Sequence, residues 1–219
     1  PDSTGYIKLD RFQQGSSREV HNSIVELKEQ GMQRLIFDLR NNGGGYLQEA
    51  VQIADLFLPR DRLVVFTAGR AFEDTSKYFT EHDAQLQDEP LIVLVNGQSA
   101  SASEIIVGAV QDWDRGLVVG VTTVGKGSVQ QVVNIDDKVE LKLTMAAWHT
   151  PSGRSIDKRM RKDSTLVDGS AKEYKTRLLE RLVHSGGGVN PDIEIHGRKG
   201  NRLYGQLNGF FTLNNQFFH

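Results

Sequence analysis

Five consecutive apolar residues, Leu91-Ile92-Val93-Leu94-Val95, lead into a loop of small polar residues and then into an apolar segment from about Ala102 to Gln111. This stretch restricts the fold more than any other, because it reads as a buried strand, a loop and a helix in succession. The same alternation recurs. Gly5 to Leu9 alternates apolar and polar and predicts a strand, and Val20 to Gln30 has helical spacing with Gly31 as its stop. Arg34 to Leu39 predicts a second buried strand, and Leu47 to Phe57 a helix ending near Pro59. Leu63 to Thr67 and Leu117 to Gly120 are further strands, and Val129 to Ile135 with Val139 to Met145 reads as a hairpin. Strands alternating with helices, followed by hairpins, predict a layered α/β domain with a β-rich C-terminal part.

Past Pro151 the texture changes. Asp157 to Asp163 is a basic run, read as a solvated loop. Ala171 to Val183 is expected to form an amphipathic helix, Gly186 to Gly188 a joint, and Val189 to Ile195 a returning strand. The expected organisation is a core over 1–156, an insertion of basic loop plus helix over 157–188, and a return strand with an apolar tail over 189–219 of the same domain.

The 219 residues favour a single core, and 38% hydrophobic content argues against disorder. A net charge of −2 gives no reason to expect nucleic acid as a partner, and no apolar run is long enough to span a bilayer. The absence of Cys excludes disulfides, thiolate metal sites and Cys catalysis. No charged-then-apolar leader opens the chain.

Three segments can carry chemistry. In Asn96 to Ile105 a strand-to-helix loop exposes hydroxyls at a helix N-terminus, where unpaired N–H groups can hold an oxyanion. Ser101-Ala102-Ser103-Glu104 equally fits a capping box, and the residues alone do not choose among Ser99, Ser101 and Ser103. In Gly125 to Gln130, Lys126 sits between glycines that let a neighbouring chain approach. An uncharged lysine amine can accept a proton, and Gln130, four residues on, could orient it; the plain reading is an exposed turn lysine. In Asp38 to Gly45, three successive glycines can turn main-chain N–H groups toward a cleft, or simply make a flexible turn. Gly120 to Lys126 mimics a phosphate-binding loop, but Gly127 stands where Ser or Thr would bind Mg²⁺ and a strand follows instead of a helix.

Together, Asp38-Leu39-Arg40-Asn41-Asn42-Gly43-Gly44, Ser99-Ala100-Ser101-Ala102-Ser103-Glu104 and Gly125-Lys126-Gly127-Ser128-Val129-Gln130 resemble the core of the carboxyl-terminal processing peptidases, or tail-specific proteases. Asp112 and Thr123, and the stretches Thr150 to Ile156 and Val189 to Ile193, also resemble that family's landmarks. The resemblance implies a crotonase-like α/β core and a serine endopeptidase working through an acyl-enzyme. It implies Ser101 as nucleophile, Lys126 as general base and Gln130 positioning the lysine. The oxyanion hole would use the N–H of Ala102 and of Gly45, with Gly44 as the alternative. No metal or cofactor is implied, and the substrates would be polypeptide C-terminal tails. The implied place is the periplasm or cell envelope. The resemblance leads one to expect a PDZ module before the strand that starts at Gly5, and Val124 replaces the usual Phe. Of the six histidines, none pairs with Ser101 in sequence; His149 with Trp148 reads as a groove wall or as packing. Two readings of other classes remain open: an idle tail-binding module, and an acyl-CoA enzyme with no use for Ser101.

Overall fold

A computed structural model describes residues 3–69, 76–136, 139–158 and 172–195. Five strands, β1 (Thr4–Lys8), β2 (Arg34–Asp38), β5 (Leu91–Val95), β6 (Leu117–Gly120) and β11 (Ile193–Glu194), form one sheet in the order β1-β2-β5-β6-β11, every pairing parallel. Parallel neighbours need crossovers; α1 (Ser16–Glu29), α2 (Leu47–Asp55) and α3 (Ala102–Asp112) lie in the first three, whereas the connection from β6 to β11 has no helix among the described residues.

Each helix has a local cause. Val20, Ile24 and Leu27 form the inward stripe of α1. That helix ends where Gly31, at φ +89, lets its own N–H reach Lys28 and the Met32 N–H reach Leu27, both orphan carbonyls of the last turn. All of α3 is buried, so it lies between layers: it packs on α2, on β6 and on β3 (Leu63–Ala68). Burial along β5 alternates, with Leu91, Val93 and Val95 inside and Ile92 and Leu94 only half-covered. The run expected to be buried throughout therefore has one well-covered face.

A second sheet has the antiparallel order β4-β3-β8-β7, from β3, β4 (Lys77–Phe79), β7 (Ser128–Asp136) and β8 (Val139–His149). The expected hairpin forms, longer than its sequence pattern. The helix expected over Ala171 to Val183 does not: β9 (Glu173–Lys175) and β10 (Leu182–His184) form an antiparallel hairpin instead. Its connecting turn is pinned to the end of α3, where Asp114 accepts the N–H groups of Leu178 and Leu179 and Arg181 pairs with Asp114 at 2.7 Å and Asp192 at 2.6 Å. The apolar tail after Ile195 lies outside the described residues. Among the described residues, no helix is long and apolar enough to cross a membrane.

Candidate active site

The three segments singled out from the sequence leave the carboxyl ends of three neighbouring parallel strands: Gly43 to Gly45 after β2, Ser101 after β5, and Lys126 after β6. Open α/β sheets bind ligands along that edge, because the loops there converge.

Ser101 caps α3 with φ 57 and ψ −114, a conformation that costs a non-glycine residue about 1–3 kcal/mol. It is half-buried, and its two serine neighbours in the motif are not equivalent to it. Ser99 Oγ donates to the Leu39 carbonyl at 2.8 Å and Ser103 Oγ to the Asn42 carbonyl at 3.0 Å, both fully buried. The Ser101 hydroxyl donates to none of the described residues. The structure thus separates three serines that the sequence alone left equal.

The glycine run packs against this turn. A Cβ on Gly44 would fall 2.8 Å from Ser101 Cβ and 3.0 Å from the Ala102 nitrogen. The Gly44 N–H donates to Asn42 Oδ1 at 2.9 Å. The N–H groups of Gly45 and Ala102 find no acceptor among the described residues, and for Ala102 this follows from its place as first residue of a helix. Asn42, fully buried, holds the arrangement: its amide donates to Leu9 at 2.7 Å, and its carbonyl receives the Ala100 N–H at 3.0 Å. At the root of the run, Asp38 accepts from Arg40 (2.6 Å) and from the Tyr6 hydroxyl (2.6 Å). Burial pushes the Asp38 carboxyl up, but these hydrogen bonds outweigh it and hold it below its usual value. Burial, then Asp38, pushes Tyr6 up to about 12.

Glu104 joins the serine and lysine loops. Its carboxylate is wholly buried and receives four donors: Oε2 takes the N–H of Ser101 and of Lys126, each at 2.9 Å. Oε1 takes the Thr123 hydroxyl at 2.6 Å and the Gly125 N–H at 2.7 Å. The backbone nitrogens of Ser101 and Lys126 are therefore no further apart than twice 2.9 Å. The capping box is present, with Ser101 Oγ accepting the Glu104 N–H, and the same glutamate also anchors the loop that follows the next strand in the sheet order. A sequence shows the first role through its spacing and gives no sign of the second. Gly125, at φ +77, is enclosed by Gly188 and the Ile156 carbonyl, so the run Gly186 to Gly188 acts as packing for the lysine loop.

The Lys126 side chain is exposed, as is Gln130, and neither side chain hydrogen-bonds to another described residue. Asp112 lies at the far end of α3, about 16 Å along the helix from Ser101 at 1.5 Å per residue. It pairs with Arg154 at 2.8 Å, both buried, and belongs to the framework. Thr123 serves the Glu104 network and accepts the Val189 N–H at 2.8 Å. His149 stacks on Phe66 with ring centroids 5.1 Å apart, and Trp148 packs on the core, so packing accounts for both. His82 pairs with Asp55 at 2.6 Å. Among the described residues, no group of three or more metal-ligating side chains occurs.

A serine on a strained turn at a helix head, its hydroxyl proton without an acceptor among the described residues and a glycine run packed against it, is compatible with a serine-type hydrolase. Residues 3–167 match the pattern of peptidase family S41, and the chain belongs to that family. It is 42% identical over 156 residues to a carboxyl-terminal-processing protease of Synechocystis, covering 71% of this chain and 36% of that protein. It is 39% identical over 183 residues to carboxyl-terminal-processing peptidase 3, chloroplastic, of Arabidopsis thaliana, covering 83% of this chain and 35% of the relative. The fold resembles the solved structure of a photosystem II D1 C-terminal processing protease, with TM-score 0.70 and 30% identity over 88% of this chain and 42% of that one. The chain thus spans about a third of the length of the curated relatives it matches.

Proposed function

We propose that this chain is the catalytic core of a serine endopeptidase that cuts polypeptides near their C-terminal tails. The observation that carries the reading is that Ser101, alone among the three motif serines, has a hydroxyl proton with no acceptor among the described residues, while Ser99 and Ser103 donate theirs to buried carbonyls, and that the glycine run packs against its turn. Lys126 takes the Ser101 proton, and Ser101 Oγ attacks the scissile carbonyl. The oxyanion rests on the Gly45 and Ala102 N–H groups, where loss of one donor costs roughly 10²–10³ in rate. Protonated Lys126 then gives its proton to the leaving amine, and water releases the acyl group. Lys126 stands on the loop next to the serine turn, the N–H groups of Ser101 and Lys126 sharing Glu104 Oε2, so substrate laid across the carboxyl edge would cover both. Gln130, on β7 beyond it, would orient the amine.

The parallel sheet wound by successive βα units also supports the crotonase-like kinship expected from the motifs. The likeness to processing peptidases supports a cell-envelope location. The exposed, unbonded Lys126 side chain also favours a second reading, an idle module that holds tails without cutting them. Peptide hydrolysis followed by mass spectrometry tests the first reading. Cleavage abolished by Ser101→Ala and by Lys126→Arg, whose guanidinium stays charged, is expected. Normal cleavage by the Lys126→Arg chain excludes the dyad.

A further inference from the structure

The sheet order places a fourth loop beside the three already described. β1 is the outer neighbour of β2, and its carboxyl end leads into Leu9 to Gly15. This loop is bolted to the glycine run: the Phe12 N–H donates to the Gly44 carbonyl at 3.2 Å, and the Tyr46 N–H to the Phe12 carbonyl at 2.9 Å. Phe12 is buried, and Arg11 before it is exposed. Between loop and run lies a groove of about 620 Å³ lined by Arg11, Phe12, Gln13, Gln14, Gly45 and Tyr46.

Its lining has a definite chemistry. Gly45 brings the free N–H assigned above to the oxyanion. Tyr46 presents a ring that is 64% exposed, and Gln13 and Gln14 add neutral polar groups. Arg11 is the only charged lining residue, and its guanidinium has no hydrogen-bond or ion-pair partner among the described residues. The nearest acid in sequence, Asp10, is held by Lys8 at 2.5 Å. An unpaired guanidinium facing a groove without carboxylates is suited to a planar anion, above all a carboxylate.

The geometry points to this groove as a substrate subsite in which Arg11 binds a carboxylate close to the scissile bond, either the α-carboxylate of a short tail or an Asp or Glu side chain. This rests on the peptidase reading above. Adjacent strands lie about 4.8 Å apart, so the loop of β1 stands about 10 Å from that of β5, roughly three residues of extended peptide. The preference should therefore be confined to carboxylates about two to four residues from the cut.

The test uses the 219-residue chain with Ser101→Ala, so that binding is read without cleavage. Fluorescence anisotropy compares three sets of labelled peptides: a free or amidated C-terminus, an internal Glu or its Gln analogue, and the carboxylate stepped from two to eight residues from the cut. The expected result is about tenfold tighter binding for the near carboxylate at low salt, shrinking as salt rises. Arg11→Gln should bring that ratio to about one, and Arg11→Glu should invert it. The first two peptide sets show which source of carboxylate is used. Equal binding of charged and neutral peptides, or a preference unchanged by Arg11→Gln, overturns the subsite. Arg11-dependent binding with no cleavage of any peptide by the unmutated chain would keep the groove and remove the peptidase reading.

Discussion

A Cβ on Gly44, where φ is +96, would fall 2.7 Å from the Ala100 carbonyl and 2.8 Å from Ser101 Cβ, whereas one on Gly43 meets nothing within 4 Å. Gly44→Ala is therefore expected to lower stability by about 2–4 kcal/mol and to displace the serine turn, while Gly43→Ala stays within about 1 kcal/mol. Urea denaturation of the two variants side by side checks this, and equal effects would show that the run is merely flexible. Glu104 offers a second residue-scale test. Glu104→Gln keeps the shape, but its amide must face one pair of the four donors. The cheaper orientation preserves the Ser101 and Lys126 amides and sets NH₂ against the Gly125 N–H. The expected cost is about 1–3 kcal/mol from that unsatisfied donor, with activity falling more steeply than stability because the lysine loop shifts. Melting temperature and peptide turnover measured on one preparation separate the two effects.

Among the elements, α3 is the member on which the others converge, with Ser101 at its head and an ion-pair network at its foot. Arg154→Met leaves Asp112 buried without its partner, and a loss of about 3–5 kcal/mol is expected. Arg181→Met, at a site 31% exposed, should cost clearly less. Chemical denaturation ranks them, and the reverse order would contradict the burial argument. This network is also where reading the chain by pattern failed. Leu178, Leu179, Leu182 and Val183 have helical spacing, yet Leu178, Leu179 and Leu182 face solvent. Glu180 turns the chain at φ 52, and the turn is fixed by Asp114, some 65 residues earlier. Contacts of that separation leave no periodicity in a sequence. By contrast, α1, α3 and the three motif loops were legible, because caps, glycines and apolar runs act locally. The loops' convergence at one sheet edge follows from strand order, which no local pattern encodes.

For the molecule as a whole, the pH dependence of folding follows from the perturbed groups. Burial pushes the Asp38, Glu49 and Asp114 carboxyls up, but hydrogen bonds from Arg40 and Tyr6, from Ser17 and Gly15, and from Leu179 and Arg181 hold each below its usual value. Groups lowered on folding stabilise the native state above their unfolded values and lose that contribution as pH falls through the folded ones. Urea midpoints should therefore decline on the acid side, below the ordinary carboxylate range. Tyr6 has the opposite sign. Raised from 10.0 to about 12, it contributes fully below pH 10 and loses that contribution as pH rises toward 12. Tyr6→Phe should cost about 1 kcal/mol at neutral pH and flatten the alkaline decline. An unchanged alkaline slope in that variant would mean that another group controls it.

In the proposed mechanism Lys126, on the next loop, takes the proton of Ser101, whose neighbours Ser99 and Ser103 are both held in hydrogen bonds to buried carbonyls. Mass-spectrometric mapping of the whole chain after reaction with a serine-directed fluorophosphonate tests it most directly. A single adduct on Ser101 is expected, absent from Ser99 and Ser103 and lost in the Lys126→Arg chain. An adduct on another serine, or undiminished labelling of Ser101 when Lys126 is replaced, would contradict it.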